Sequence, residues 1–262
     1  MNKQIIRLSV SKAKTFEHCR RQYYYQYILK LPKEVREHNA AGSLVHLVLE
    51  TFFKAWIAAK YQGDMKALLQ GCWSECSVSK EYEFALKFNL VGLAKQYVIS
   101  YFKSYIDVEI KQTIPLECEP KFTLPIDISP TLGIEVIGYI DRIDKVNEKT
   151  IRVLDYKTVG KVQYLDNFQL GIYVAACMAG PYKGYDFEAA YILLKHGNKL
   201  RFMPDAGSAY LECLDKMVKV ALDIESVTAG TQYNWPPHYT PLCNWCDYKL
   251  RCQNDLGGQD EW

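Results

Sequence analysis

The stretch from Gly133 to Tyr173 constrains this chain more than any other, because its apolar pattern leaves little choice of local structure. Ile134, Val136, Gly138 and Ile140 alternate with Glu135, Ile137, Tyr139 and Asp141, the period of two that marks a strand. Ile151 to Lys157 alternates likewise, with the polar run Asn147-Glu148-Lys149-Thr150 between, which predicts an antiparallel hairpin. A turn centred on Glu148 sets Asp141 opposite Asp155, and Lys157, two residues on, shares their face. Opposed carboxylates repel, and one lysine compensates them poorly; a divalent cation between them resolves the conflict. Such a centre suits phosphodiester cleavage. Aspartates hold magnesium by one or two oxygens, phosphate and water fill the remaining positions, and the ammonium orients or helps activate the attacking water. A salt-bridge cluster at a hairpin end would show the same residues, and Asp-Xaa-Lys triplets are common.

Gly138-Tyr139-Ile140-Asp141-Arg142-Ile143-Asp144, followed by Asp155-Tyr156-Lys157-Thr158, resembles motifs II and III of the PD-(D/E)XK nuclease superfamily, in its RecB-like branch. Gln169 and Tyr173, neighbours on one helical face, match the Gln-Xaa3-Tyr helix that follows the lysine in that branch. Upstream, Gly42-Ser43-Leu44-Val45-His46 resembles its first motif, whose histidine is a metal ligand. The resemblance spans about residues 5–56, 115–178 and 243–252. It implies an α/β fold: a central mixed β-sheet flanked by helices, the restriction-endonuclease-like core. By the same resemblance His46, Asp141, Asp155 and the Tyr156 carbonyl bind Mg2+ or Mn2+, and Asp141, Asp155 and Lys157 are catalytic. Gln169 and Tyr173 would position substrate or lysine; Arg142 and Asp144 match the motif without a role that the resemblance assigns, and a phosphate contact for Arg142, positioning substrate, and a salt bridge for Asp144 are the expectations.

The chain is similar to CRISPR-associated and phage-encoded exonucleases with four cysteines, and to AddB-type nuclease domains. That likeness implies cleavage of DNA, often from single-stranded ends, in repair, recombination, phage replication or CRISPR adaptation. The rival from a different class is a catalytically silent DNA-end binder or assembly subunit of the same fold. No catalytic position departs from the motif pattern, which argues against it.

Cys243, Cys246 and Cys252 form a Cys-Xaa2-Cys-Xaa5-Cys cluster in a tail punctuated by Pro236, Pro237 and Pro241. Three thiolates want a fourth, and Cys19 is the candidate; by spacing alone the four could hold zinc or an iron–sulfur cluster. Phe16-Glu17-His18-Cys19-Arg20-Arg21-Gln22-Tyr23-Tyr24 resembles the N-terminal cysteine segment of the branch's members with a 4Fe-4S cluster, which favours iron and sulfur over zinc. A zinc-stabilised nucleic-acid adaptor is a further rival. Cys72, Cys76, Cys118, Cys177 and Cys213 fall in expected core elements as free thiols.

At 262 residues the chain can bury one large core with a helical insertion, so a single nuclease domain over 1–262 is expected. Its net charge is only +2, which leaves room for a local basic groove but excludes a polycation. Residues 1–38 carry nine Lys and Arg against three acids, one wall of such a groove or a solvated helix face. No apolar run approaches the roughly 18 residues of a membrane span, and an apolar signal core is absent at the N-terminus. With an odd nine cysteines, this suggests a cytoplasmic, reducing setting.

Ser9 or Ser11 is expected to cap a helix running to about Leu31, and Asn39 to Gly42 to break the chain before a second helix. In that second helix His46 and Glu50 share a face, and Leu44, Leu47, Val48 and Phe52 occupy another. A helical insertion covers about 57–113, with an aromatic stripe that could stack on bases or, more simply, bury in the core. Leu116–Leu124 reads as the first strand, Asn167–Ala179 as the Gln169/Tyr173 helix, and Phe187–Leu194 with Lys199–Phe202 as strands. Ala209–Val227 reads as a helix stopped at Gly230; the metal-cluster tail spans about 236–256, and Gly257–Trp262 should fray.

Overall fold

A computed structural model of the chain describes residues 3–33, 37–228 and 235–256; Gly230 and Gly257–Trp262 lie outside them. In chain order the elements are β1 (Gln4–Leu8), α1 (Val10–His18), α2 (Arg20–Tyr23), α3 (Glu37–Ala58), α4 (Met65–Cys76), α5 (Lys80–Lys87) and α6 (Val91–Asp107). Then follow β2 (Ile114–Cys118), β3 (Lys121–Asp127), β4 (Leu132–Tyr139), β5 (Arg142–Lys145), β6 (Thr150–Lys157) and α7 (Phe168–Ala179). The rest are β7 (Asp186–Leu193), β8 (Lys199–Phe202), α8 (Ala206–Thr228) and α9 (Lys249–Asp255). Two mixed sheets with flanking helices give the α/β architecture that the motifs imply. The chain divides into two compact units.

The larger unit, Val35–Phe122 with Tyr139–Cys213, holds a five-stranded sheet in the order β2-β5-β6-β7-β8. β6 is its centre: antiparallel to β5, parallel to β7, and connected to β7 through α7, as a parallel pair requires. Covered on both faces, β6 buries every residue from Ile151 to Tyr156, so its burial does not alternate as its sequence does. α3 packs against α4, α5, α6 and β2 over a core that includes Phe52, Phe53, Tyr101 and Tyr105. The aromatic stripe of the insertion is therefore buried. By length and composition α3 would also pass for a membrane span from Asn39 to Ala58, though Leu44, Val45, Val48 and Phe52 are at most 1% exposed.

Several boundaries differ from those expected. α3 runs through Asn39–Gly42 without a break. The expected strand at 116–124 is two strands, divided at Glu119 and Pro120; Pro120 has no N–H for a ladder, and Glu119 has a φ of 52°. The strand ending in Asp141 is likewise interrupted: β4 stops at Tyr139 and pairs with β1 in another sheet, so only β5 makes the hairpin with β6.

The smaller unit comprises Met1–Glu34, Thr123–Gly138 and Leu214–Trp262. In its sheet β1 pairs with β4 in parallel. Ser9 caps α1 by accepting the Lys12 N–H, as expected. The single helix expected to Leu31 is broken at Cys19, whose backbone is extended at φ −159° and ψ 114° and whose sulfur accepts the Gln22 N–H. Beyond α2 the helix widens into a π-turn over Tyr24–Ile28. Trp235, 1% exposed, stacks on Tyr23 and Tyr24. Tyr25 donates to Asp255 at 2.9 Å, tying the two ends of the chain together within this unit.

Candidate active site

β5 and β6 pair with Arg142 opposite Leu154, and continuing that register by one residue places Asp141 across from Asp155. Asp141 sits just outside the ladder, where its Oδ2 accepts the Tyr156 N–H at 2.8 Å. Both carboxylates are buried, Asp141 at 8% exposure and Asp155 at 1%. Burial first, and the neighbouring Asp155 second, hold the Asp141 pKa well above the ordinary carboxylate value. Lys157 Nζ stands 2.6 Å from Asp155 Oδ2. The angle there does not make a hydrogen bond, so that oxygen has no hydrogen-bond partner among the described residues. The lysine ammonium neutralises it as an ion pair.

His46 arrives from α3, one turn after Gly42. A Cβ at Gly42 would lie 2.7 Å from Thr158 Oγ1, so a larger residue would have to turn that hydroxyl aside where α3 meets the end of β6. One turn later, His46 Nε2 lies 2.9 Å from the Tyr156 carbonyl and Nδ1 lies 3.3 Å from Asp141 Oδ2. Burial lowers the imidazole pKa, opposed by the nearby Asp155 carboxylate, and so favours the neutral ring a metal ligand must be.

Glu119 completes the cluster. His46, Glu119 and Asp141 each offer a ligand atom within 4.8 Å of the others, and among the described residues this is the one three-donor group so close. The sequence reading missed Glu119. The signal was Pro120, which breaks the strand and leaves the preceding residue to turn; the Glu119 N–H donates to the Asp141 carbonyl at 3.2 Å. Burial, and then Glu50, raise its pKa. A donor set of imidazole, carboxylates and a backbone carbonyl fits a hard divalent cation such as Mg2+ or Mn2+.

Gln169 and Tyr173 stand one turn apart on α7. Lys157 Nζ donates to Gln169 Oε1 at 2.9 Å, and Gln169 Nε2 donates to the Tyr173 hydroxyl at 2.6 Å. The structure thus places these two residues behind the lysine.

Arg142 is not where a phosphate contact would need it. Its side chain is 0% exposed and its five N–H groups are all used. They donate to both Asp144 oxygens, to Glu109 Oε2, and to the Tyr101 and Tyr156 hydroxyls, at 2.7–2.9 Å. The Asp144 salt bridge is present; the phosphate contact is replaced by a buried cation that holds Tyr156 by its hydroxyl.

Cys19, Cys243, Cys246 and Cys252 line one cavity of ≈ 30 Å³ in the smaller unit, and no three of their sulfurs come within 4.8 Å of one another. Backbone N–H groups of Gln22 and His238 point at Cys19 Sγ, and that of Thr240 at Cys243 Sγ, at 3.4–3.5 Å. Burial, then Cys19, push the Cys252 thiol up to about 11. The other five cysteines are buried and form no disulfide.

The model of the PD-(D/E)XK nuclease superfamily matches residues 7–253, nearly the whole chain and every motif residue named above. The chain belongs to the PD-(D/E)XK nuclease superfamily. Among solved structures, a protein from Eubacterium rectale described as a "Putative exonuclease" is 14% identical to this nuclease. The match covers 92% of this chain and 87% of that one, with a TM-score of 0.49. SSO0001 is 12% identical over 95% and 86% of the two chains, with a TM-score of 0.39. No curated protein matches the nuclease.

Proposed function

We propose that this nuclease hydrolyses DNA phosphodiester bonds as an exonuclease on single strands or strand ends, with Mg2+ or Mn2+ as its resident cation. The observation that carries the reading is the convergence of His46, Glu119 and Asp141 within 4.8 Å, beside the Lys157–Asp155 ion pair. When bound, a divalent cation polarises the phosphate and lowers the pKa of a coordinated water. Asp141 and Asp155 would hold the cation, with His46, Glu119 and the Tyr156 carbonyl as further donors. Lys157, steered by Gln169 and Tyr173, directs its ammonium at the attacking water and offsets charge that develops on the phosphoryl oxygens.

The motif order supports the RecB-like branch, and the span of the family match across both compact units supports one nuclease domain. For the cysteines we favour a 4Fe-4S cluster. The resemblance of the Cys19 segment supports that choice over zinc, and N–H groups aimed at sulfur suit iron–sulfur ligation. A reducing compartment such as the cytoplasm suits thiolate ligands of this kind, and DNA is the partner this reading gives the nuclease.

The test is digestion of end-labelled single- and double-stranded DNA with Mn2+. Lys157→Ala and Asp155→Ala should lose at least about a hundredfold in rate while keeping the wild-type circular dichroism spectrum. Full activity in either purified variant overturns the assignment. Wild-type protein that shifts the DNA without shortening it identifies a silent end binder.

A further inference from the structure

The helical layer of the larger unit carries a second recognition feature, on residues the active site does not use. A cavity of ≈ 460 Å³ lies between α4 and α6. Leu69, Val98 and Phe102 form a buried floor, and Ile99, 42% exposed, stands at its edge with the half-buried Trp73. α6 has committed another face to the core, where Ala94, Tyr101 and Tyr105 are fully buried, so Ile99 belongs to a separate strip. Along that strip Lys95, Ile99 and Lys103 follow one another at successive turns, and Lys66 faces them from α4. Among the described residues no Asp or Glu lines the cavity.

We propose that this groove docks an acid-flanked amphipathic helix of a partner protein. Two parallel features of the groove select that occupant. Its floor is mainly aliphatic, the kind of surface that receives the apolar side chains a helix presents at i, i+3, i+4 and i+7. Its rim is basic, so the matching helix carries Glu or Asp on either side of its apolar stripe. Nucleic acid meets the charge requirement but not the floor. Base stacking needs open ring faces, and the one aromatic ring at the edge, Trp73, already has Lys95 Nζ 5.7 Å from its centroid.

The full-length nuclease is titrated into a fluorescein-labelled helical peptide of about five turns, with leucines at i, i+3, i+4 and i+7 and glutamates elsewhere. A matched peptide with lysines in place of glutamates, and a single-stranded oligothymidylate, are run in parallel. The glutamate peptide should bind with a Kd of about 10 μM or tighter. The triple variant Lys66→Glu/Lys95→Glu/Lys103→Glu, and separately Ile99→Glu, should weaken it about tenfold or more, with DNA cleavage unchanged. Single Lys103→Glu should give a smaller loss in the same direction if the triple variant folds poorly. Equal binding of both peptides, no binding at about 100 μM, or indifference to all these substitutions overturns the proposal. So does oligothymidylate binding that the lysine substitutions abolish, which would make the groove a nucleic-acid site.

Discussion

A carboxyl group sunk beside a second carboxylate, as Asp141 is beside Asp155, keeps its proton to higher pH than it would in the unfolded chain. The folded state then binds more protons than the unfolded state above the ordinary aspartate range, so without metal this group removes stability as pH rises. His46 has the opposite sign, because its lowered pKa removes stability as pH falls through the ordinary histidine range. Comparison with Asp141→Asn isolates the first effect. In EDTA the variant should melt increasingly above wild type as pH rises from about 4 to about 8, and Mn2+ should reverse the order by stabilising wild type alone. A melting difference independent of pH would mean that Asp141 is ionised throughout. Tyr156 gives a second test. Tyr156→Phe leaves the backbone carbonyl in place but strands one N–H of the buried Arg142, so denaturant titration should show a loss of about 1–3 kcal/mol. At this scale Asp141, Asp155 and Lys157 could be placed together from strand spacing and the hairpin turn, whereas His46 was singled out only by the resemblance of its motif, since helical spacing pairs it with Glu50. Glu119 was hidden by its left-handed φ, and Arg142 by burial that no local pattern in the sequence announces.

Among the elements, α7 shows how closely the supports of the site are packed. A Cβ at Gly171 would overlap Cys213 Sγ and come 2.8 Å from Cys213 Cβ. Gly171→Ala would gain about 1 kcal/mol of helix propensity but lose about 1–3 kcal/mol to overpacking. A net fall in melting temperature is expected, with only partial recovery in the double variant with Cys213→Ala, since the Cβ remains. A stabilised single variant would show that α7 is free to move away. The hairpin, α7, β7 and β8 were readable because period and turn chemistry agree there. The breaks at Cys19 and Glu119, and the departure of β4 to another sheet, were not. Each depends on distant partners, and an alternating run such as 134–141 is equally consistent with one strand or with two that part company at Tyr139.

For the whole molecule, the cysteine segments lie far apart in sequence yet line one cavity. A metal group bridging Cys19 to Cys252 would close a loop of most of the chain and remove entropy from the unfolded state. Purified protein should therefore be brown and contain iron with acid-labile sulfide, and Cys246→Ala should lose both and melt lower. A colourless protein with one zinc per chain would replace the cluster with a structural zinc site. The motif resemblance conveyed the α/β class and chain length the room for an insertion, whereas the division into two compact units was not legible, since their segments interleave along the chain.

The Arg142 guanidinium draws two of its acceptors, Tyr101 and Glu109, from the segment between the first motif and the sheet. That segment is consequently no removable appendage. Trimming it to reach a minimal enzyme would strand a positive charge in a dry interior, so any shortened or chimeric version must bring its own phenol and carboxylate to the same spot, or replace the arginine along with its lost neighbours.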